Sequence, residues 1–228
     1  MLSETVTDAR TAKKLLREEI WTKLEAEGVA RFPLPCFGHV PNFEDSDKAA
    51  QNVRLLTEWK EAKVVFVNPD FAQQKIRECA LLDGKLLVMA SPKLKHSYIV
   101  VDPTKVRGSE SHASTIRGAF SRGKIVDLQE MPRPDLIVEG SVAIDLDGNR
   151  LGKGGGYGDV EIRTMKTEFG SLPVVTTVHD MQVVRSVPFE EKDEKVSIIV
   201  TPKRVIRVSR SEEHAARAFP DSDKLCPT

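Results

Sequence analysis

Apolar positions recur at helical spacing near the N-terminus and give way, beyond residue 60, to short β-branched runs alternating with amphipathic segments. Leu15, Leu16, Ile20 and Leu24, set among charges, predict one amphipathic helix over residues 7–27, closed by Gly28. Residues 32–43, FPLPCFGHVPNF, carry three prolines among aromatics, a combination that excludes regular helix and predicts an ordered extended loop. A second helix is predicted over 46–59. The runs VVFVN (64–68), FAQQKIRECALLDG (71–84) and KLLVMA (85–90) then read as strand, helix and strand. Both strands are apolar throughout rather than alternating, which points to a parallel sheet covered on two faces.

Residues 104–124 are rich in Ser, Gly and Arg with a weak pattern, and read as a surface connection with a single helical turn. DLIVEGSVAIDLDGN (135–149) reads as a strand ending in the Asp147-Gly148 turn, followed by a helix over 157–169 and a strand over 173–180. The last predicted strands are 196–202 and 204–208, before the frayed helix and tail SEEHAARAFPDSDKLCPT. There is no internal repeat and no low-complexity tract. The fold class is therefore α/β: a three-layer α/β/α sandwich with a mainly parallel sheet, one domain over 1–210 with a tail at 211–228.

Charge narrows the function classes. Lys plus Arg and Asp plus Glu both number 34, so there is no electrostatic case for bulk nucleic-acid or membrane binding, and any anion site must be local. Lys105, Arg107, Arg117, Arg122 and Lys124 are interleaved with Ser and Gly and read as a solvated loop. Cys36, Cys79 and Cys226 are widely spaced, which argues for reduced, inert thiols rather than a disulfide framework or a zinc site. No apolar run approaches the ~20 residues of a membrane span, and the N-terminus lacks the apolar core of a signal peptide, so the expected location is cytoplasmic. His39, His96, His112 and His214 show no metal-ligand spacing, and His179 reads as a hydrogen-bonded histidine at a strand end.

The candidate chemistry lies in NRLGKGGGYGD, residues 149–159. A glycine-rich turn entering a helix presents unpaired N–H groups and the positive end of the helix dipole, a ready anion site. Gly154, Gly155 and Gly156 would let the backbone wrap phosphate oxygens, Arg150 and Lys153 add charge at its mouth, and Asp159 has the position to hold magnesium. The pattern is neither a Walker A loop nor a dinucleotide fingerprint, and a plain hairpin loop is the competing reading. Lys13 and Arg17, four apart in KKLLR, share a helical face and form a second candidate phosphate clamp.

DLIVEGSVAIDLDGNRLGKGGGYGD, then PVVTTVHDMQVV and VPFEEKDEKVSIIVTP, together with the opening KKLLR, resemble the 5-formyltetrahydrofolate cyclo-ligase (methenyltetrahydrofolate synthetase) family. REEIWTKLEAEGVARFPLPCFGHVPNF and VVTTVHDMQVV resemble its divergent branch, the methenyltetrahydrofolate synthetase domain-containing proteins. The resemblance implies a sandwich of the ribose-5-phosphate isomerase and CoA-transferase type. It also implies ATP- and magnesium-dependent closure of 5-formyltetrahydrofolate, or a related reduced pterin, to the 5,10-methenyl form with release of ADP and phosphate.

By the same resemblance, Lys13 and Arg17 bind ATP phosphates, and Arg150, Gly152, Lys153, Gly154, Gly155 and Gly156 form the phosphate loop. Tyr157 flanks the folate or the transferred phosphoryl group, Asp159 reaches magnesium, and Phe43 stacks on the pterin, although Phe43 also reads as a core anchor. Most members have GGGYYDR where this chain has GGGYGDV, so Gly158 removes a ring and Val160 a cation. The competing reading from another class is a nucleotide- or RNA-binding module that keeps the phosphate loop without cyclisation.

Overall fold

The computed structural model describes residues 8–91 and 98–208. Helix α1 (Ala9–Ala26) opens on Asp8, whose carboxylate accepts from Thr11 N, and ends before Gly28 at φ +67°. A short ribbon follows, β1 (Ala30–Arg31) against β2 (Asn42–Phe43), enclosing the proline loop. Then come α2 (Ser46–Leu55), α3 (Thr57–Glu61), β3 (Val64–Val67), α4 (Gln74–Leu82), β4 (Leu86–Ala90) and β5 (Tyr98–Val101). Next are α5 (Glu110–Ala113), α6 (Ile116–Arg122), β6 (Lys124–Val126) and β7 (Leu136–Gly140). The hairpin β8 (Ala143–Ile144) and β9 (Arg150–Leu151) precedes α7 (Tyr157–Phe169), β10 (Val174–Thr177), β11 (Ile198–Val200) and β12 (Val205–Arg207).

The central sheet has the order β12-β11-β10-β7-β3-β4-β5-β6. Its middle strands, β11, β10, β7, β3 and β4, are parallel, and β12, β5 and β6 extend it antiparallel at the two edges. Side-chain alternation divides each middle strand between two cores. Val65, Val67, Leu136, Val138 and Leu87 pack beneath α2 to α6 with Trp59, Ile76 and Ala119, whereas Phe66, Ile137, Val174 and Ile199 pack against Ile162 and Met165 of α7. A third cluster joins Ile20, Trp21 and Leu24 of α1 to Ala143 and Leu151 of the hairpin. This is an α/β fold with a large, mostly parallel sheet flanked by helices. The chain runs from β3 outward to β4 and later from β7 outward to β10 and β11, so the winding direction reverses between β3 and β7. In open α/β sheets the crevice beyond the carboxyl ends of such strands is where ligands bind.

Several expectations need correction. The predicted second helix is two, broken at Leu56, which is extended (ψ 142°). Residues 104–124 form α5 and α6 rather than a loop, because Thr115 Oγ1 caps α6 by accepting from Gly118 N at 2.9 Å and Ala113 and Ala119 reach the core. The strand expected over 135–149 stops at Gly140. Its remainder turns into the β8–β9 hairpin, held by Asp145, whose carboxylate accepts from Asp147 N, Asn149 N and Val187 N. β5 and β6 carry no expectation from the pattern and complete one edge. Cys36 and Cys79 are buried free thiols, and burial pushes Cys36 up to about 12. Among the described residues no helix is long and apolar enough to cross a membrane. Cys226, His96, His214 and the tail at 211–228 lie outside the described residues.

Candidate functional site

Four elements converge at the reversal point: the segment after β3, the end of β7, the β8–β9 hairpin with its glycine loop, and the N-terminus of α7. The hairpin delivers Arg150 into the interior. Gly154 (φ +111°) and Gly156 (φ +71°) take dihedrals that side chains rarely adopt, and Gly156 is the N-cap of α7 with no side chain bonded to the first turn. The first N–H groups of α7 therefore face outward from the loop without intrahelical partners. Two cavities open on opposite sides of this loop and share Arg150, Gly152, Gly156 and Asp159 as a common wall.

The first cavity, about 390 Å³, lies between α1 and the loop. Arg10, Lys13 and Arg17 face it from successive turns of α1, joined by Lys192 from the opposite side. Arg17 Nε donates to Gly152 O at 2.7 Å, laying the guanidinium across the loop beside Gly154. Burial lowers the Arg17 pKa against the upward pull of Asp159 and Asp193. Lys13 Nζ contacts Glu190 at 2.7 Å and Asp193 at 2.5 Å. Burial would lower its pKa, but those carboxylates outweigh it and the net direction is upward.

The second cavity, about 340 Å³, lies directly over the carboxyl ends of β3 and β7. Asn68, Asp70 and Phe71 line it from β3's side, Glu139 from β7, Glu161 and Tyr157 from α7, and His39 and Val40 from the proline loop. Arg77, fully buried on α4, donates to the carbonyls of Asn68 (2.5 Å) and Asp70 (2.9 Å) and fixes that segment. Lys153 Nζ reaches Asp70 Oδ1 at 2.5 Å across the mouth. Glu139 and Glu161 are both buried in this wall; Glu139 Oε1 accepts from Asn68 Nδ2 at 2.8 Å, and its Oε2 has no hydrogen-bond partner in the protein. Burial pushes Glu139 up to about 7 against the downward pull of Arg150, and burial and the neighbouring Glu139 carry Glu161 well above the ordinary range. Arg150 holds the centre, donating to Gly140 O at 3.0 Å and to Asp159 Oδ1 at 2.7 Å. Burial acts to lower its pKa, but Asp159 and Glu139 outweigh it and raise it.

The structure thus gathers most of the residues expected from the sequence and sorts them. Lys13, Arg17 and Gly154 face the first cavity; Lys153, Gly155 and Tyr157 face the second; Arg150, Gly152, Gly156 and Asp159 face both. Phe43 is not in the site: it is 1% exposed and packs with Val40, Ala49 and Ala72, outside both cavity walls, so its core reading replaces the stacking one. Phe71, 41% exposed, joins Tyr157 as an exposed aromatic on that cavity wall. Lys13 is already ion-paired, and Lys153 stands on the far side of the loop from it. Val160 lies outside both walls, so a cation missing from that position is not missing from either cavity. His179 N donates to Gln182 Oε1 and its Nδ1 accepts from Met181 N, and burial lowers its pKa. Asn68, Asp70, Glu139 and Glu161 went unnoticed in the sequence, though a carboxylate breaking the apolar run LIVEG was the available signal for Glu139.

Gly158 also changes meaning. A Cβ there would lie 2.8 Å from Glu139 Oε1 and 2.9 Å from Arg150 Nη2, so the space vacated by a side chain is filled by the buried charge cluster. Gly158→Ala is expected to cost about 1–3 kcal/mol by overpacking in urea denaturation. Gly158→Ala combined with Glu139→Ala should recover part of that loss, and a Gly158→Ala protein as stable as its parent would refute the packing.

Comparison with known proteins places this geometry. The chain is 36% identical over 208 residues to the methenyltetrahydrofolate synthase domain-containing protein of Bos taurus, covering 87% of this chain and 54% of that protein. It is 35% identical over 205 residues to the Homo sapiens protein of the same description, covering 86% and 53%. The chain thus spans about half the length of these curated relatives. A 79-residue stretch, 35% of this chain and 42% of that protein, is 35% identical to 5-formyltetrahydrofolate cyclo-ligase of Escherichia coli K12. The fold matches that of Aquifex aeolicus 5,10-methenyltetrahydrofolate synthetase with a TM-score of 0.57 at 24% identity, covering 91% of this chain and 99% of that one. Because residues 9–202, which carry both cavity walls, match the model of the 5-formyltetrahydrofolate cyclo-ligase family, the chain belongs to that family.

Proposed function

We propose that the chain is an ATP- and magnesium-dependent cyclo-ligase that closes 5-formyltetrahydrofolate, or a closely related reduced pterin, to its 5,10-methenyl form. The observation that carries the reading is the pair of cavities sharing one glycine loop: a cationic one along α1 for the nucleotide phosphates and one over β3 and β7 for the pterin. A phosphoryl group moving from the first to the second passes the shared residues Arg150, Gly152, Gly156 and Asp159. The formyl oxygen attacks the γ-phosphorus and ADP leaves. N10 then attacks the activated formyl carbon and loses its proton, and phosphate departs to leave the methenyl bridge. Such chemistry asks for positioning and charge neutralisation rather than a covalent nucleophile.

In this reading Arg17 and the α7 N-terminus hold phosphate oxygens, and Lys13 meets them by releasing one of its two carboxylates. Tyr157 and Phe71 flank the heterocycle, and Lys153 with Asp70 closes over it. Asp159 fits magnesium through its second carboxylate oxygen, Oδ1 being taken by Arg150 and Glu194 N. Among the described residues no cluster of three or more metal-ligating side chains exists, so phosphates and water would complete the coordination, as magnesium prefers. The ion would neutralise the charge that develops on the transferred phosphoryl group.

The test is incubation of the purified chain with 5-formyltetrahydrofolate and Mg-ATP, following the methenyl chromophore. Growth that requires ATP is the expected result. Its absence while calorimetry still detects ATP would remove the folate reading and retain the phosphate site.

A further inference from the structure

We propose that Arg77 is a positioning residue for the pterin: its guanidinium, buried behind the second cavity, sets two of the wall segments that face the heterocycle and holds Asp70 where Lys153 meets it. The inference rests on assigning that cavity to the reduced pterin, and names the residue that shapes it from outside its walls.

Arg77 lies on α4, 1% exposed, and lines neither cavity. Its hydrogen bonds all go to main-chain carbonyls. Nη1 donates to Asn68 O at 2.5 Å and to Asp70 O at 2.9 Å, and Nε donates to Ser114 O at 2.7 Å. Asn68 and Asp70 belong to the segment after β3, whereas Ser114 closes α5, two residues before Ile116, where α6 begins. Asn68, Asp70 and Ile116 all line the second cavity. One planar fork therefore joins, from behind, two stretches of wall that are far apart in sequence. The Asp70 carboxylate carries the contacts on to the glycine loop, with Oδ2 accepting from Asn68 Nδ2 at 3.0 Å and Oδ1 from Lys153 Nζ at 2.5 Å.

Stability alone is a poor account of an arginine at this position. A guanidinium is costly to take out of water, and among the described residues no carboxylate is hydrogen-bonded to this one. Burial presses its pKa down to about 9 against the upward pull of Asp70. An apolar side chain would fill the same space beneath the sheet end without that cost. What the guanidinium adds is direction: its donors point along fixed lines, so the carbonyls they meet are fixed in orientation too. The Asn68 and Asp70 side chains spring from those same residues, and their aim into the cavity is set with them. Removing the fork frees Asp70, and with it the partner of Lys153. Arg17 keeps its bond to Gly152 O, because the first cavity lies on the far side of the loop.

The experiment is steady-state kinetics of the full chain with 5-formyltetrahydrofolate and Mg-ATP varied in turn, on the wild type, Arg77→Met and Arg77→Lys, after a thermal melt of each. Arg77→Met is expected to raise KM for 5-formyltetrahydrofolate about ten- to a hundredfold, with kcat and KM for Mg-ATP within about threefold of the wild type. Arg77→Lys keeps a charge and donors but not the fork, and its KM should fall between the two. In an Asp70→Ala background Arg77→Met should raise that KM by less than it does alone, because part of its effect passes through Asp70. An unchanged KM, a loss confined to kcat, equal changes in both KM values, or full additivity with Asp70→Ala marks a merely structural role and overturns the inference while the folate reading stands. Failure of both Arg77 variants to fold has the same meaning. A wild type that does not close 5-formyltetrahydrofolate in the presence of Mg-ATP removes the folate reading and the inference with it.

Discussion

Arg150→Ala is expected to lower the unfolding free energy by about 3–5 kcal/mol at pH 8, the cost of stripping a buried ionic cluster of its counter-charge. For a chain of this size that is a fall in melting temperature of roughly 6–20 °C. The guanidinium bonds Gly140 O and Asp159 and faces Glu139, so its removal leaves that carbonyl without this donor and the two carboxylates without their counter-charge. The deficit should depend on pH in a defined direction. Glu139 is held at about 7 in the folded protein against an ordinary 4.5, so the folded state binds this proton more tightly than the unfolded chain. Its contribution to stability is therefore fully present below pH 4.5 and is lost as pH rises through about 7. Arg150 offsets that loss by favouring the ionised carboxylate. Without it the decline between pH 5 and pH 8 should be steeper, and the gap between parent and variant narrower at pH 5. Denaturant titrations at the two pH values read this directly. A deficit below about 1 kcal/mol, the range of an exposed ion pair, or one that does not change with pH, would show that Arg150 is not the counter-charge.

Arg17→Ala and Lys153→Ala should separate kinetically, because their side chains stand on opposite sides of the glycine loop. Losing one charge-assisted contact to phosphate costs about 1.5–3 kcal/mol, or roughly ten- to a hundredfold in kcat/KM. For Arg17→Ala the loss should fall on Mg-ATP, through the guanidinium laid across Gly152 and Gly154. For Lys153→Ala it should fall on the pterin, since its ammonium closes the second cavity with Asp70. Steady-state kinetics with each substrate varied in turn is the measurement. If Lys153→Ala weakened Mg-ATP and spared the pterin, the division of the loop into two faces would be wrong.

The two cationic elements of the site were legible in the chain because each is local. Lys13 and Arg17 share a face by helical period alone, and a glycine cluster entering a helix leaves the first N–H groups of that helix open wherever the sheet places it. The apolar runs of β3, β4, β7 and β10 were equally legible, because a strand covered on both faces has no polar alternation to hide it. Phe43 was misplaced because an aromatic on a loop reads the same whether it faces a ligand or the core; its burial against Val40 and Ala72 is decided by where the proline loop folds back. β5 and β6, the last two strands at one end of the sheet, are short and defined by the neighbours they pair with rather than by their own pattern.

By itself, then, the sequence determined the α/β class, the mainly parallel sheet, and the glycine-rich turn of residues 150–156 that enters a helix. Only the tertiary structure decided the acid cluster. Asn68, Glu139, Arg150 and Glu161 are separated by up to 93 positions and meet because β3 and β7, distant in sequence, are neighbours in the sheet at the point where its winding reverses. Desolvation and mutual proximity raise the pKa values of two ordinary glutamates, and both causes exist only once the chain has closed around them.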